Sequence, residues 1–192
     1  MHLLIALLAL AAQATLQTSA SASGFSMAAP DGWHALSKQG VLDNMGKFKF
    51  TPAELESLLA NHSGPIVAYQ KYRSDAHAGL IPTIQVNLRR NPTKTFDEFV
   101  SSIARSIEAP KAVLPGFALT QAPHVVEVGG RRAVVFTSTY DLVTKRAETM
   151  KVRARTYAVP VGATFFQVNF IDGPDDDCAA LFDQLVGTIR FD

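Results

Sequence analysis

Three cationic side chains alternate with small or apolar residues along one predicted strand, and no other residues are better placed for binding chemistry. Lys151, Arg153 and Arg155 are separated by single residues, and Tyr157 continues the pattern. Because successive side chains of a strand point to opposite faces, this spacing places all four on one face. Adjacent cations repel one another, so the face meets either water or acidic groups. Ordinary solvated sheet surface explains the stripe most simply, and the alternative is a binding surface for an acidic protein, an anionic lipid or a glycan. If neighbouring hairpins pair, it is extended by Lys145, Arg146, Arg131 and Arg132.

A group of aromatic residues is the second candidate binding surface. Its members are Trp33, Tyr69, Tyr72 and Phe117. Aromatic side chains are large apolar groups that often belong to a core. Trp33 directly follows the turn Pro30-Asp31-Gly32 and is the member expected to be half exposed.

Catalytic and metal-binding patterns are weak throughout the chain. None of the five histidines has the helical i, i+4 spacing of a zinc site. The acidic run Asp172 to Asp177 lacks the ligand pattern of a calcium loop, and charge complementation of a helix N-terminus explains it more simply. There is no G-x-S-x-G motif, and Cys178 lies on the apolar stripe of a predicted helix as an inert thiol. The sequence predicts no catalytic residue, no metal and no cofactor, although it leaves open an enzyme with an unrecognised site.

The N-terminus resembles an export signal. An apolar run over residues 3–10 is followed by small residues and by Ala20-Ser21-Ala22. This is the pattern of a cleaved signal peptide, and the run is too short to span a bilayer, which needs ~20 apolar residues. We expect a signal over residues 1–22, with cleavage after Ala22, and Ala20 or Ala14 as alternatives. The mature protein is then periplasmic or secreted.

Composition limits the class of protein further. Hydrophobic residues make up 47% of the chain and charged residues 18%, as in ordinary globular domains. A net charge of +1 does not indicate a nucleic-acid binder. A single cysteine excludes an internal disulfide. No span long enough for a membrane follows residue 22. We expect one domain over residues 23–192.

Capping signals predict three helices. One begins after Thr51 and carries Leu55, Leu58 and Leu59 on one face. The second begins after Thr95, with Glu98 at capping-box spacing. The third follows Gly173-Pro174, with the carboxylates of residues 175–177 in its first turn. The second and third helices have apolar stripes formed by Phe96, Phe99, Val100, Ile103 and Ile107, and by Cys178, Leu181, Phe182, Leu185 and Ile189.

Alternation and glycine turns predict the strands. Residues 66–72 and 84–89 read as strands. Residues 124–128 and 131–142 form a hairpin about Gly129-Gly130, and residues 150–159 and 163–171 form a second. Tight turns join antiparallel strands, and singly striped helices cover sheet faces. The expected architecture is α+β, an antiparallel sheet with helices on both faces.

These features together resemble the PsbP/DcrB-like superfamily. The resemblance rests on Pro30-Asp31-Gly32-Trp33 after an opening strand, on the helix starting Phe96-Asp97-Glu98-Phe99, on the hairpin at Gly129-Gly130-Arg131-Arg132-Ala133, and on the closing amphipathic helix. The resemblance covers nearly all of residues 23–192, and the superfamily includes exported LpqN-type proteins. It implies an α-β-α sandwich with accessory or binding roles, and supplies no active-site residues.

The interpretation that follows is an exported, non-enzymatic accessory protein of the cell envelope. Its expected partner is an envelope protein or an anionic envelope component, bound through Lys151, Arg153, Arg155, Tyr157 and Trp33. Two alternatives remain: an envelope hydrolase or other enzyme, and a chaperone for hydrophobic segments. Fold analogy does not choose the ligand.

Overall fold

A computed structural model describes residues 23–49, 64–77 and 79–192 of the chain. The strands are β1 (Phe25–Ser26), β2 (His34–Ala35), β3 (Val67–Gln70), β4 (Thr83–Arg90), β5 (Ala118–Val128), β6 (Arg131–Val143), β7 (Thr149–Val161), β8 (Thr164–Asp172) and β9 (Arg190–Phe191). The helices are α1 (Lys38–Met45), α2 (Phe96–Ser106), α3 (Glu108–Val113) and α4 (Ala179–Val186). None of the helices in these ranges is long and apolar enough to cross a membrane.

The two predicted hairpins form, and they lie side by side in one sheet. The sheet has seven antiparallel strands in the order β2-β3-β4-β8-β7-β6-β5. At the first hairpin turn, Gly129 and Gly130 both have positive φ, 56° and 74°, as a tight turn between twisted strands requires. β5 begins at Ala118, earlier than the predicted residue 124, because two irregularities near Gln121 interrupt its alternation.

The two faces of the sheet belong to different apolar clusters. Val134 and Val135 are neighbours on β6 and therefore point to opposite faces. Val135 packs in a cluster that contains Phe182 and Leu185 of α4. Val134 packs in a second cluster, which contains Phe99 and Ile103 of α2. We call these the α4 face and the α2 face. The predicted antiparallel sheet is confirmed, and the buried residues of the two amphipathic helices match the predicted stripes.

The first and last strands of the described chain pair with each other. β1 and β9 form a separate two-stranded sheet, with Phe25 opposite Phe191. The Phe25 ring lies 5.5 Å from that of Phe166 and 5.8 Å from that of Phe191, measured between centroids. These rings extend the α4-face cluster. Such a pairing joins residues far apart in the chain, and no local pattern predicts it.

Local capping interactions fix the starts of α1 and α2. The capping box of α2 is confirmed, with the Thr95 hydroxyl accepting from the Glu98 N–H and Glu98 accepting from the Thr95 N–H. The helix predicted after Thr51 lies outside the described residues. α1 was not predicted, although Ser37 caps it by accepting from the Gly40 N–H. Gly40 inside the helix weakened its signal.

The start of the last helix was predicted wrongly. α4 begins at Ala179, with Cys178 as its N-cap, so residues 175–177 precede the helix and do not form its first turn. Asp177 still accepts a hydrogen bond from the Ala179 N–H at 2.8 Å. Asp172, at the end of β8, accepts one from the Cys178 N–H at 2.9 Å. These carboxylates accept hydrogen bonds within a turn and form ion pairs there. The sequence pattern of such a turn is the same as that of a helix start.

Candidate functional site

The basic stripe Lys151, Arg153 and Arg155 lies on one face of β7, as predicted, and each of its cations contacts a carboxylate of the same chain. Lys151 Nζ lies 2.6 Å from Asp141 Oδ1 on β6. Arg155 contacts Asp183 on α4. The acidic groups that this face was expected to meet are therefore supplied internally. The stripe joins β7 to β6, β8 and α4.

Arg153 contacts two carboxylates, whereas Lys151 and Arg155 each contact one among the described residues. Its Nε and a terminal nitrogen donate to the two oxygens of Asp172 at 2.8 and 2.6 Å, and it also contacts Asp177. Hydrogen bonding to Asp172 raises the pKa of Arg153, so the guanidinium stays charged. The Asp172 side chain is 1% exposed, whereas that of Arg153 is 34% exposed. Arg153 therefore compensates the charge of the buried Asp172 carboxylate and is not a free cation.

Tyr157 and Trp33, the other two candidate binding residues, contribute to the core on the α4 face. Tyr157 is 8% exposed and packs edge-on against Phe170, with ring centroids 5.9 Å apart. Trp33 is half-buried, as expected, and its ring meets Phe182 at a centroid distance of 6.2 Å. The structure brings Trp33 close to α4 but leaves Tyr157 little surface for a partner.

The remaining aromatic candidates are not all grouped with Trp33. Tyr69 packs against the same core cluster as Trp33. Tyr72 instead stacks on His77, with centroids 4.5 Å apart. Phe117 precedes β5, at the opposite edge of the sheet. The predicted aromatic group is therefore divided among separate parts of the molecule.

Cys178 is buried, in agreement with its predicted position on an apolar stripe. Desolvation raises the pKa of its thiol to about 11, which leaves little thiolate at neutral pH. Lys71 Nζ lies 3.9 Å from the sulfur and contacts Asp176. Across residues 23–49, 64–77 and 79–192, no group of three His, Cys, Asp or Glu side chains is arranged to hold a metal ion.

A cavity on the α2 face was missed by the sequence analysis. It encloses about 220 Å³ between α1, the loop before β4 and the sheet. Gln85 places it on this face, because Gln85 alternates with Ile84 and Val86 of the opposite cluster. Its wall is mostly aliphatic, and the side chains concerned come from Leu36, Val41, Leu80, Ile81, Leu114, Leu142 and Ile171. They belong to separate segments of the chain, so no local motif could reveal the cavity.

A few polar groups interrupt this apolar wall. Tyr140, Asn44, Lys47 and Gln85 also line the cavity. Burial raises the pKa of the Tyr140 phenol to about 12, so it is neutral and able to donate a hydrogen bond. Among the residues that the structure describes, no side-chain hydrogen bond is formed by Tyr140 or Gln85. A mostly apolar cavity with a small number of polar groups has the character of a ligand site.

Comparison with known proteins agrees with this architecture. The sequence matches no protein-family profile and resembles no curated protein. Among solved structures, cyanobacterial PsbP (CyanoP) from Synechocystis superposes with a TM-score of 0.53 at 12% identity, covering 92% of both chains. The chain has the PsbP/DcrB-like fold. LpqN of Mycobacterium tuberculosis, described as involved in cell envelope biogenesis, superposes with a TM-score of 0.51 at 16% identity, covering 92% of this chain and 91% of LpqN.

At 12–16% identity, the shared fold supports a shared architecture but assigns no role to any residue of this chain. The candidate sites must therefore be compared by their own chemistry. The basic stripe is neutralised by the chain, and the cavity is a recess with apolar walls. Of the two, the cavity is the better suited to hold a ligand.

Proposed function

We propose that this protein is exported and acts in the cell envelope as a non-enzymatic accessory protein that binds an apolar group of an envelope component. Residues 1–22 form the removed signal, and residues 23–192 form a single binding domain. The binding site is the cavity between α1 and the sheet. The proposal includes a complete α-β-α sandwich, with α2 and α4 as the helical layers on the two faces.

The observation that carries the proposal is the aliphatic cavity on the α2 face. Side chains such as Leu80 and Leu142 line it, and it encloses about 220 Å³. Burying apolar ligand surface against such a wall is favourable at ~25 cal/mol per Å². An apolar cavity of ~150 Å³ is already large enough to bind benzene. The site therefore fits an aliphatic chain end or a single apolar side chain of a partner.

The fold and the N-terminal pattern support a role in the envelope. LpqN, with the same fold, is described as involved in cell envelope biogenesis. The apolar run over residues 3–10, followed by small residues and Ala20-Ser21-Ala22, is typical of an exported protein. Both features favour an extracytoplasmic accessory protein, and neither identifies its partner.

The basic stripe with Trp33 is the second candidate surface. A partner there would have to compete with Asp141, Asp172 and Asp183 for cations that these carboxylates already contact. Its binding would weaken with added salt, because salt screens exposed charges beyond about 8–10 Å. The cavity requires no such displacement, and we therefore favour it.

Binding to the cavity is tested with N-phenyl-1-naphthylamine, a neutral apolar dye that fluoresces out of water. We expect saturable binding to the purified protein at one site. Leu142→Trp, which fills the cavity, should weaken binding about tenfold or more, a loss expected when an apolar ligand is excluded. Leu119→Trp, the same change on the exposed part of β5, should have no effect.

Leu36→Trp provides a second filling variant if Leu142→Trp lowers the denaturation midpoint. Absence of dye binding to the wild type, or unchanged binding in a folded filling variant, would overturn the proposed site. Export is tested separately by mass spectrometry of protein from the native host. The mature N-terminus should be Ser23 or lie close to it, and an intact Met1 would contradict export.

A further inference from the structure

Four exposed cations meet where the chain after α1 runs beside the turn between β6 and β7. Lys47 and Lys49 follow α1, and Lys145 and Arg146 lie in the turn. The backbones are in direct contact. The Lys49 N–H donates to the Val143 carbonyl at 2.8 Å, and the Lys145 N–H donates to the Lys47 carbonyl at 3.2 Å. We call Lys47, Lys49, Lys145 and Arg146 the basic corner.

The charges of the basic corner are not neutralised in the way that those of the stripe are. Within the part of the chain that the structure describes, none of the four forms an ion pair. The ammonium of Lys47 donates to the Ser74 carbonyl at 2.8 Å, which leaves its charge in place. The end of α1 offsets only about half a unit charge. Two carboxylates belong to the neighbouring segments. Glu148 lies on the same turn. Asp75 pairs with Arg73 and also feels the charge of Lys47, which contributes to the lowered pKa of that carboxyl.

The basic corner is continuous with the apolar cavity. Lys47 and Phe48 both line the cavity, and Leu142 lines it from β6, just before the turn that carries Lys145. Phe48 also forms an isolated bridge with Thr144, which fixes the two segments together. A ligand whose apolar part lies among Leu142 and its neighbours therefore has its other end beside several unpaired cations.

From this arrangement, and resting on the proposed function, we propose that the ligand is an anionic lipid. The end of its acyl chain occupies the cavity, and its phosphate or carboxylate head lies on the basic corner. A hydrocarbon chain brings no hydrogen-bonding group into the aliphatic wall, whereas an acidic peptide would bury backbone N–H and C=O groups there. An anion beside several cations gains affinity that a zwitterionic or neutral head does not.

Two lysophospholipids with the same acyl chain test the proposal below their micelle-forming concentrations. Each is titrated against protein that holds N-phenyl-1-naphthylamine, and displacement of the dye is measured. We expect lysophosphatidylglycerol to bind about tenfold more tightly than lysophosphatidylcholine, since several cations face its net negative head. The difference should shrink as salt is added. Inorganic phosphate alone should displace no dye.

Reversing charges of the basic corner tests whether the lipid head group lies there. The double variant Lys145→Glu with Arg146→Glu should remove the preference for lysophosphatidylglycerol and leave dye binding unchanged. The matched control, Arg90→Glu with Lys94→Glu, changes the net charge equally at the far end of β4, where Arg90 pairs with Thr164. This control should keep the preference.

The possible failures are distinguishable. Three results would overturn the anionic-lipid inference while leaving the proposed cavity intact. The first is equal affinity for the two lipids, and the second is a preference for lysophosphatidylglycerol that persists after charge reversal at the basic corner. The third is displacement of the dye by an acidic peptide but by neither lipid. Failure of the dye to bind the wild type would overturn the proposed function itself.

Discussion

Arg153 and Asp172 occupy directly opposite positions on β7 and β8, and their side chains meet in a two-point ion pair. The pair is unequal in its exposure to water. The carboxylate is 1% exposed and the guanidinium 34% exposed. Asp172 also accepts the N–H of Cys178 at the start of α4. One buried carboxylate thus connects two strands and a helix start, and it depends on Arg153 for its compensating charge.

Removal of Arg153 should therefore be costly. Arg153→Leu leaves Asp172 buried without its cation and should lower the free energy of unfolding by about 3 kcal/mol, the lower end for a broken buried pair. The control Arg155→Leu removes a cation whose partner, Asp183, is 65% exposed, and should cost less than about 1 kcal/mol. Chemical denaturation measures both. Equal losses in the two variants would show that the burial of Asp172 is not what makes its pair important.

The packing of α2 gives a second prediction. Phe99 is 2% exposed and meets the ring of Phe165 edge-on, with centroids 5.4 Å apart. Phe99→Ala should cost about 3–5 kcal/mol, because it removes a large apolar side chain and leaves a cavity. Ser101→Ala, on the exposed side of the same helix, should change stability by less than about 0.5 kcal/mol. A denaturation midpoint unchanged by Phe99→Ala would contradict the observed docking of α2.

Local signals in the sequence predicted much of this fold. The Thr95 capping box, the Gly129-Gly130 turn and the apolar alternation from Ile84 to Leu88 each act over a few residues, and each predicts its element correctly. The pairing of Phe25 with Phe191 depends on residues at opposite ends of the described chain. No periodicity encodes such a contact.

The candidate site was harder to predict for the same reason. Spacing placed Lys151, Arg153 and Arg155 on one face correctly, but it gave no information on the carboxylates that face them from other elements. The cavity and the basic corner arise where α1, the loop before β4 and the turn after β6 meet. A sequence shows which residues share a strand face, whereas the tertiary fold decides which of them remain free.

The capping box of α2 gives a third prediction. Thr95→Ala removes the hydroxyl that accepts from the Glu98 N–H at 3.2 Å. The loss should be about 1 kcal/mol, the usual cost of removing a side-chain cap. Thr95→Ser keeps an acceptor oxygen at the same position and should stay within a few tenths of a kcal/mol of the wild type. If the serine variant lost as much stability as the alanine variant, packing of the Thr95 methyl group rather than capping would be responsible.

The buried thiol of Cys178 gives the last prediction, which concerns pH. Desolvation raises its pKa to about 11 in the folded chain, from an ordinary value near 9.0. The unfolded thiol therefore ionises first as pH rises. The stabilising contribution is fully present below about pH 9 and is lost between about pH 9 and 11, by an amount on the order of 2 kcal/mol. Subtracting the pH dependence of Cys178→Ala from that of the wild type isolates this contribution from the other groups that titrate there.

The native protein should also react slowly with a thiol reagent at pH 8, and denaturant should restore fast labelling. Rapid labelling without denaturant, or identical alkaline stability curves for the two proteins, would show that the thiol is accessible and that α4 does not seal this part of the core.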